Sequence, residues 1–241
     1  MAGCKGAGTG CRGPLAACAL CAAGFVALAA AVASGATGGV DLAVAHAVAA
    51  WRTPALTAAM RAVTGLGSWW ALALAVAGTL VAGAVTRRRG LMAAAAALAA
   101  AALSSELVNH ALKAAACRPR PDAALRLVEI GGYSFPSGHA MNAVAVYGLA
   151  AWLVWHAASA TGAGATAGRR GRRGLGIAAC SLLAVLITLI GFSRIYLGVH
   201  YLSDVLAGCC AGGVLLACAA SLRCRLACRK RPPAGGDGPS R

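Results

Sequence analysis

Apolar residues in this chain do not recur against a polar face. They run in unbroken blocks, at 14–36, 68–86, 91–112, 139–156, 175–192 and 201–222. At 1.5 Å per residue, a helix of about 20 residues crosses the roughly 30 Å hydrocarbon core of a bilayer. A helix that is apolar all round belongs in lipid or in a deep core, not at a water-facing surface. The pattern predicts an all-α polytopic membrane protein with about six transmembrane helices. It forms a single membrane domain over 1–241, with no room for a separate soluble domain.

Lys5 and Arg12 precede the first block, and the small residues at 31–36 would suit a signal peptidase. The apolar run is longer than a signal h-region, so it reads as a retained helix, with a cleaved leader as the alternative. The segment 41–66 is only moderately apolar and contains Arg52, Pro54 and Arg61. Short helices lying along the membrane surface are expected there. Trp51, Trp69 and Trp70 fit an interfacial aromatic belt. A Gly/Ala/Arg-rich linker is expected at 162–174.

Composition agrees: 60% of residues are hydrophobic and 12% charged. The net charge of +16 could suggest nucleic acid. The charges lie between apolar blocks, however, as in loops facing an anionic membrane surface, so no nucleic-acid partner is expected. Fifteen of the 22 Lys and Arg residues lie before the first block, at 87–89, at 169–173 or after 222. The positive-inside rule then places both termini in the cytoplasm and loops one, three and five outside. The tail 223–241 reads as cytoplasmic and disordered. Most of the eleven cysteines sit inside apolar blocks, where they act as small hydrophobes. Their spacing suggests neither a disulfide framework nor a metal site.

Three polar clusters remain, all on outward loops or adjoining helix ends. Lys113 and Arg120-Pro121 are seven residues apart. A continuing helix would turn both cations the same way, and two fixed cations suit a phosphate. An ordinary positive helix end is the plainer alternative. Pro136-Ser137-Gly138-His139 opens the fourth block. Ser137 is a natural N-cap, Gly138 allows close backbone approach, and a helix N-terminus attracts anions. His139 could donate a proton there, or be an interfacial histidine. Ser193-Arg194 precedes His200 and Asp204, which lie at i and i+4. Asp204 can accept from one imidazole nitrogen and leave the other as a nucleophile. The alternative is a helix-capping ion pair.

Together the clusters read K-x6-R-P, P-S-G-H and S-R-x5-H-x3-D, in order and spread over 113–204. This signature resembles the type 2 phosphatidic acid phosphatase superfamily, which includes lipid phosphate phosphatases and vanadium haloperoxidases. The resemblance implies a bacterial six-helix membrane member with the catalytic core of that group. It implies His200 as nucleophile, Asp204 as its orienting carboxylate and His139 as proton donor to the leaving oxygen. It further implies that Lys113, Arg120, Ser137, Gly138 and Arg194 bind the phosphoryl oxygens, without metal or other cofactor. The partner would be a lipid phosphate in the plasma membrane, met on the extracytoplasmic side. Undecaprenyl diphosphate (weakly favoured), phosphatidylglycerol phosphate and phosphatidic acid are the candidates. A vanadate-dependent haloperoxidase and a non-catalytic transporter or scaffold are the alternatives. Oligomeric state is left open.

Outside the motifs, Glu106 is expected to pair with a neighbouring helix, with orienting Lys113 from behind as the alternative. Arg118 and Arg126 are expected to be interfacial charge, with a wider electropositive entry as the alternative, and His46 and His156 interfacial. The small-residue run 208–213 is expected to pack helix against helix.

Overall fold

The computed structural model describes residues 8–159 and 166–229, and among these there are helices and connecting turns but no strand. The long elements are α1 (Gly8–Ala33), α2 (Gly38–Ala49), α3 (Pro54–Leu66), α4 (Trp69–Val85) and α5 (Arg89–Ala116). They are followed by α6 (Gly138–Ser159), α7 (Thr166–Tyr196) and α8 (Leu202–Arg229). Among the described residues, five helices are long and apolar enough to cross a membrane: parts of α1, α7 and α8, and all of α5 and α6. A sixth span is formed if α3 and α4, bent by 54° at their junction, are taken as one broken element. Large apolar side chains such as Leu20, Leu74, Leu103, Leu107, Leu175 and Leu182 are exposed on the outside of the bundle. In water that would be costly; against lipid it is the expected surface. The chain is a multi-pass membrane protein.

Inside the bundle, α1 packs on α8, α4 on α5, α6 on both α7 and α8, and α3 on α7. Small residues allow the α6–α8 approach. A Cβ added at Gly208 would stand 2.5 Å from the Ser137 carbonyl oxygen, and one at Gly212 would stand 2.5 Å from that of Met141. Close backbone contact of this kind is how helices gain packing energy where no hydrophobic effect acts between them.

Residues 41–66 do more than lie on the surface. Val48 of α2 and Met60 of α3 join a buried cluster with Ala140, Ile195, Tyr196, Leu197, Val199 and Val205. Arg52, expected as loop charge, donates to the last carbonyl of α7, Tyr196 O, and to Leu125 O. A cation is favoured at that helix end because the dipole and unpaired carbonyls are negative there. The Tyr196 hydroxyl in turn lies 3.0 Å from Thr57 Oγ1. The amphipathic segment therefore caps the end of the bundle from inside.

Two expected irregular stretches are partly helical. Of the linker 162–174, residues 166–174 are the first turns of α7, and 162–165 fall outside the described residues. Of the tail 223–241, residues 223–229 continue α8, and 230–241 fall outside the described residues. Arginine is a good helix former and need not end a helix on leaving the hydrocarbon. Arg223 of this extension donates to Ala93 O at the start of α5.

Gly208→Val should lower the thermal midpoint of the detergent-solubilised protein, since an isopropyl group must enter a backbone–backbone contact. Overpacking of this kind costs about 1–3 kcal/mol. An unchanged midpoint in a calorimetric or fluorescence melt would mean that α6 and α8 do not approach as described.

Candidate active site

Four helix ends converge at one end of the bundle: the C-termini of α5 and α7 and the N-termini of α6 and α8. Lys113 occupies the last turn of α5, which stops at Ala116 because Cys117 takes a left-handed conformation (φ 48°). The helix does not reach Arg120, so Lys113 and Arg120 do not share a helix face. The loop 117–137 brings them together instead. Arg120 donates from Nε and Nη2 to the carbonyls of Gly131 and Gly132, and Lys113 Nζ donates to Tyr133 O at 2.5 Å. Pro119 and Pro121 make continued helix unfavourable.

His200 sits between α7 and α8, 3% exposed. Its Nε2 lies 3.3 Å from Arg120 Nη1, which also donates to Val199 O at 2.9 Å. A guanidinium can only donate, so Nε2 is the acceptor and the ring proton is on Nδ1. Nδ1 faces Asp204 Oδ2 at 3.5 Å and Ser134 Oγ at 3.4 Å. This tautomer leaves the Nε2 lone pair directed at the cations. Burial, reinforced by Arg194 and Arg120 and opposed by Asp204, pushes the His200 pKa down to about 4. The ring is neutral at physiological pH.

Asp204 is fully buried in the first turn of α8. It accepts from Tyr201 N at 2.9 Å, from the Ser134 hydroxyl and from Arg118 Nη1 at 2.6 Å. Arg118 was expected at the interface; it is instead the centre of an internal network. Its Nη2 donates to Asp41 Oδ2 at 2.8 Å, and its Nη1 also donates to Ser203 Oγ at 2.8 Å. A planar five-donor fork can serve two carboxylates at once, which outweighs the cost of leaving water. Burial alone would lower the Arg118 pKa, but Asp41 and Asp204 together raise it. Burial likewise acts to raise the Asp41 pKa, and the bonds from Ser203 and Arg118 overcome it, leaving the carboxyl below its usual range.

Arg194 closes the other side. It lies in the last turn of α7, is 4% exposed, and donates from Nη1 to Thr64 Oγ1 of α3 at 2.7 Å. Its Nε is buried without a hydrogen-bond partner, and so is Ser137 Oγ. Ser137 occupies the N-cap position of α6, as expected, but its hydroxyl makes no capping bond. Its backbone N–H donates to Asp204 O at 2.9 Å, which ties the two helix starts together. Buried donors without partners are uncommon, and at a cationic helix end they suit an anion. His139, in the first turn of α6, lies within electrostatic reach of Arg194, His200, Arg120 and Lys113. Gly138 approaches Asn109 of α5, whose Nδ2 donates to Pro136 O at 3.3 Å. Glu106 accepts from Asn142 of α6 at 2.6 Å, the interhelical pairing expected of it. Among the described residues, no group of three or more His, Cys, Asp or Glu side chains is placed to hold a metal ion.

The structure thus gathers Lys113, Arg120, Ser137, Gly138, His139, Arg194, His200 and Asp204 at one place. Sequence reasoning missed Asp41, Ser134 and Ser203 as partners of that group. Asp41 did carry a signal: it is the only acidic residue before Glu106, in a stretch otherwise free of reasons to hold one. Ser134 and Ser203 carried none.

Fold and site together define a helical membrane protein whose buried histidine–aspartate pair faces a cluster of lysine and arginine side chains. Residues 93–226 match the PAP2 superfamily. The chain belongs to that superfamily. It is 35% identical over 196 residues to phosphatidylglycerophosphatase B of Bacillus subtilis (strain 168), covering 79% of this chain and 87% of that protein. It superposes with TM-score 0.73 on the crystal structure of a transmembrane PAP2-type phosphatidylglycerolphosphate phosphatase from Bacillus subtilis. That match has 29% identity and covers 90% of this chain and 98% of the other. A fold likeness extends to LpxE of Aquifex aeolicus, with TM-score 0.54, 22% identity and coverage of 76% and 95%.

Arg118→Met should destabilise the protein by about 3–5 kcal/mol, because it leaves two buried carboxylates without their cation. A denaturant or thermal titration in detergent that shows less than about 1 kcal/mol of loss would contradict the network.

Proposed function

We infer that the protein is a membrane lipid phosphatase that works through a phosphohistidine intermediate and without a metal ion. The observation that carries this reading is the neutral, buried His200, its Nε2 turned towards Arg120 and its Nδ1 held by Asp204. Nε2 attacks phosphorus as the bond to the leaving oxygen breaks, and His139 supplies a proton to that oxygen. The Asp204 carboxylate offsets the positive charge that develops on the ring. Water then attacks the phosphohistidine, His139 accepts its proton, and phosphate leaves with His200 restored. Lys113, Arg120, Arg194, the Ser137 hydroxyl and the Gly138 N–H hold the three phosphoryl oxygens, supplying fixed positive charge where the transition state spreads negative charge.

The relatives' activity puts phosphatidylglycerol phosphate first among candidate substrates. Undecaprenyl diphosphate, favoured weakly by the expected outward site, and phosphatidic acid come next. The protein is proposed to lie in the plasma membrane with both termini cytoplasmic and the site outside, on the strength of the basic residues at 87–89 and 169–173. A membrane-impermeant maleimide should then label Cys117, exposed at the site end, in intact cells. A Cys117→Ser variant gives the background, and labelling only after lysis reverses the orientation.

Purified protein should release phosphate from at least one of these lipids in the presence of EDTA. His200→Ala should lower kcat by about 10³-fold or more, and His139→Ala by about 10²–10⁴-fold. Release abolished by EDTA, or retained in His200→Ala, would refute the mechanism. A folded protein that releases no phosphate from any lipid would favour a non-catalytic role.

The pH profile follows from the buried ring. A histidine near pH 6.5 would be mostly protonated and inactive at about pH 5.5. With its pKa lowered to about 4, His200 stays unprotonated there. The acid limb of the wild-type kcat/KM profile should lie near 4. An acid limb at about 6.5 would mean that His200 is not desolvated in the free protein.

A further inference from the structure

Arg118 and His200 compete for one carboxylate. Arg118 Nη1 is 2.6 Å from Asp204 Oδ1, while His200 Nδ1 stands 3.5 Å from Oδ2. An Arg118–Asp204 pair by itself is neutral, and would leave Asp204 little negative potential to offer a ring that becomes cationic on phosphorylation. Asp41 alters that balance. It is 2% exposed on α2 and takes the other arm of the same guanidinium at 2.8 Å. It is fixed there by Ser203 N at 2.9 Å and Ser203 Oγ at 2.6 Å. The stacking of Arg118 on the Tyr201 ring, 4.5 Å from its centroid, holds the fork in place.

We propose that Asp41 is a positioning residue for the reaction: by sharing Arg118 it keeps the Asp41–Arg118–Asp204 group at net charge −1, so that Asp204 can support the positive charge on His200. The proposal rests on the phosphatase reading. It extends the working site to α2, some 160 residues from His200 along the chain, and gives that short helix a role beyond packing. Asp41 touches neither His200 nor the pocket cations. The charged or titratable groups facing His200 are Asp204 of α8, Arg120 of the loop, Arg194 of α7 and His139 of α6. Cations outnumber Asp204 among them, so the negative balance behind Asp204 is what opposes them.

The test uses the full-length protein in detergent, as wild type, Asp41→Asn and the double variant Asp41→Asn/Arg118→Gln. Orthovanadate, which forms a bond to an imidazole nitrogen as a phosphoryl group would, and inorganic phosphate, which does not, are titrated beside the lipid assay. Asp41→Asn should lower kcat about tenfold or more with KM within about twofold. It should weaken vanadate about tenfold, equivalent to about 1.4 kcal/mol, and leave phosphate affinity within about twofold. The double variant, which removes one charge of each sign, should recover most of the kcat and vanadate affinity lost by the single one. A merely structural role predicts the opposite order, since the double variant loses more of the network. Wild-type kcat and vanadate affinity in Asp41→Asn, or a double variant worse than the single, overturns the proposal. If Asp41→Asn does not fold, the double variant is compared with wild type directly, and a tenfold loss in vanadate affinity overturns it. Failure of the phosphatase reading is distinguishable: wild type then releases no phosphate, while the vanadate titrations still decide the role of Asp41.

Discussion

A carboxylate buried at the end of a membrane helix must have its charge met by fixed partners, because neither water nor lipid will do it. Asp204 imposes that condition on everything around it. It draws in Arg118 from the α5–α6 loop, Ser134 from the same loop and the Tyr201 N–H from its own helix start. Its own carbonyl receives the Ser137 N–H, so the beginnings of α6 and α8 are tied at the same point. Arg118 in turn needs Asp41, which fixes α2. The bundle converges on one acid.

The loop 117–137 gathers cations around this convergence. Its carbonyls, not carboxylates, hold Arg120 and Lys113. Carbonyl partners position a cation without neutralising it, so positive charge remains available to an anion. On the far side Arg194 is steadied by a hydroxyl, Thr64 Oγ1, with the same effect. The cationic character of the site therefore comes from the neutral partners given to Lys113, Arg120 and Arg194, whereas Arg118 is neutralised by carboxylates. On the phosphatase reading proposed above, donors fixed in this way would need no reorganisation when charge develops, which is the physical basis of electrostatic catalysis.

Backbone proximity makes the geometry possible. α6 carries His139 and α8 follows directly on His200, and the two helices approach closely only because Gly208 and Gly212 present no side chain to Ser137 O and Met141 O. The bend between α3 and α4 places Thr64 beneath Arg194 and Gly67 against His139. The segment before α4, which is too polar to span on its own, is thus used as the floor of the site.

The sequence by itself determined the membrane class, the approximate positions of the helices and three motif clusters. These are local properties: apolar length sets a span, and spacing of a few residues sets which side chains can lie together. It could not determine how Lys113 and Arg120 meet: Pro119 and Pro121 argue against a helix reaching Arg120, but the carbonyls of Gly131, Gly132 and Tyr133 that hold both cations are set by tertiary packing. Nor could it assign Arg118 and Asp41 to each other. Their further partners lie 86 and 162 residues away respectively. Whether a charge faces water or another charge depends on which helix ends share a layer of the bundle. Only the tertiary structure decides that, through packing between helices distant in the chain and the need to satisfy each buried polar group.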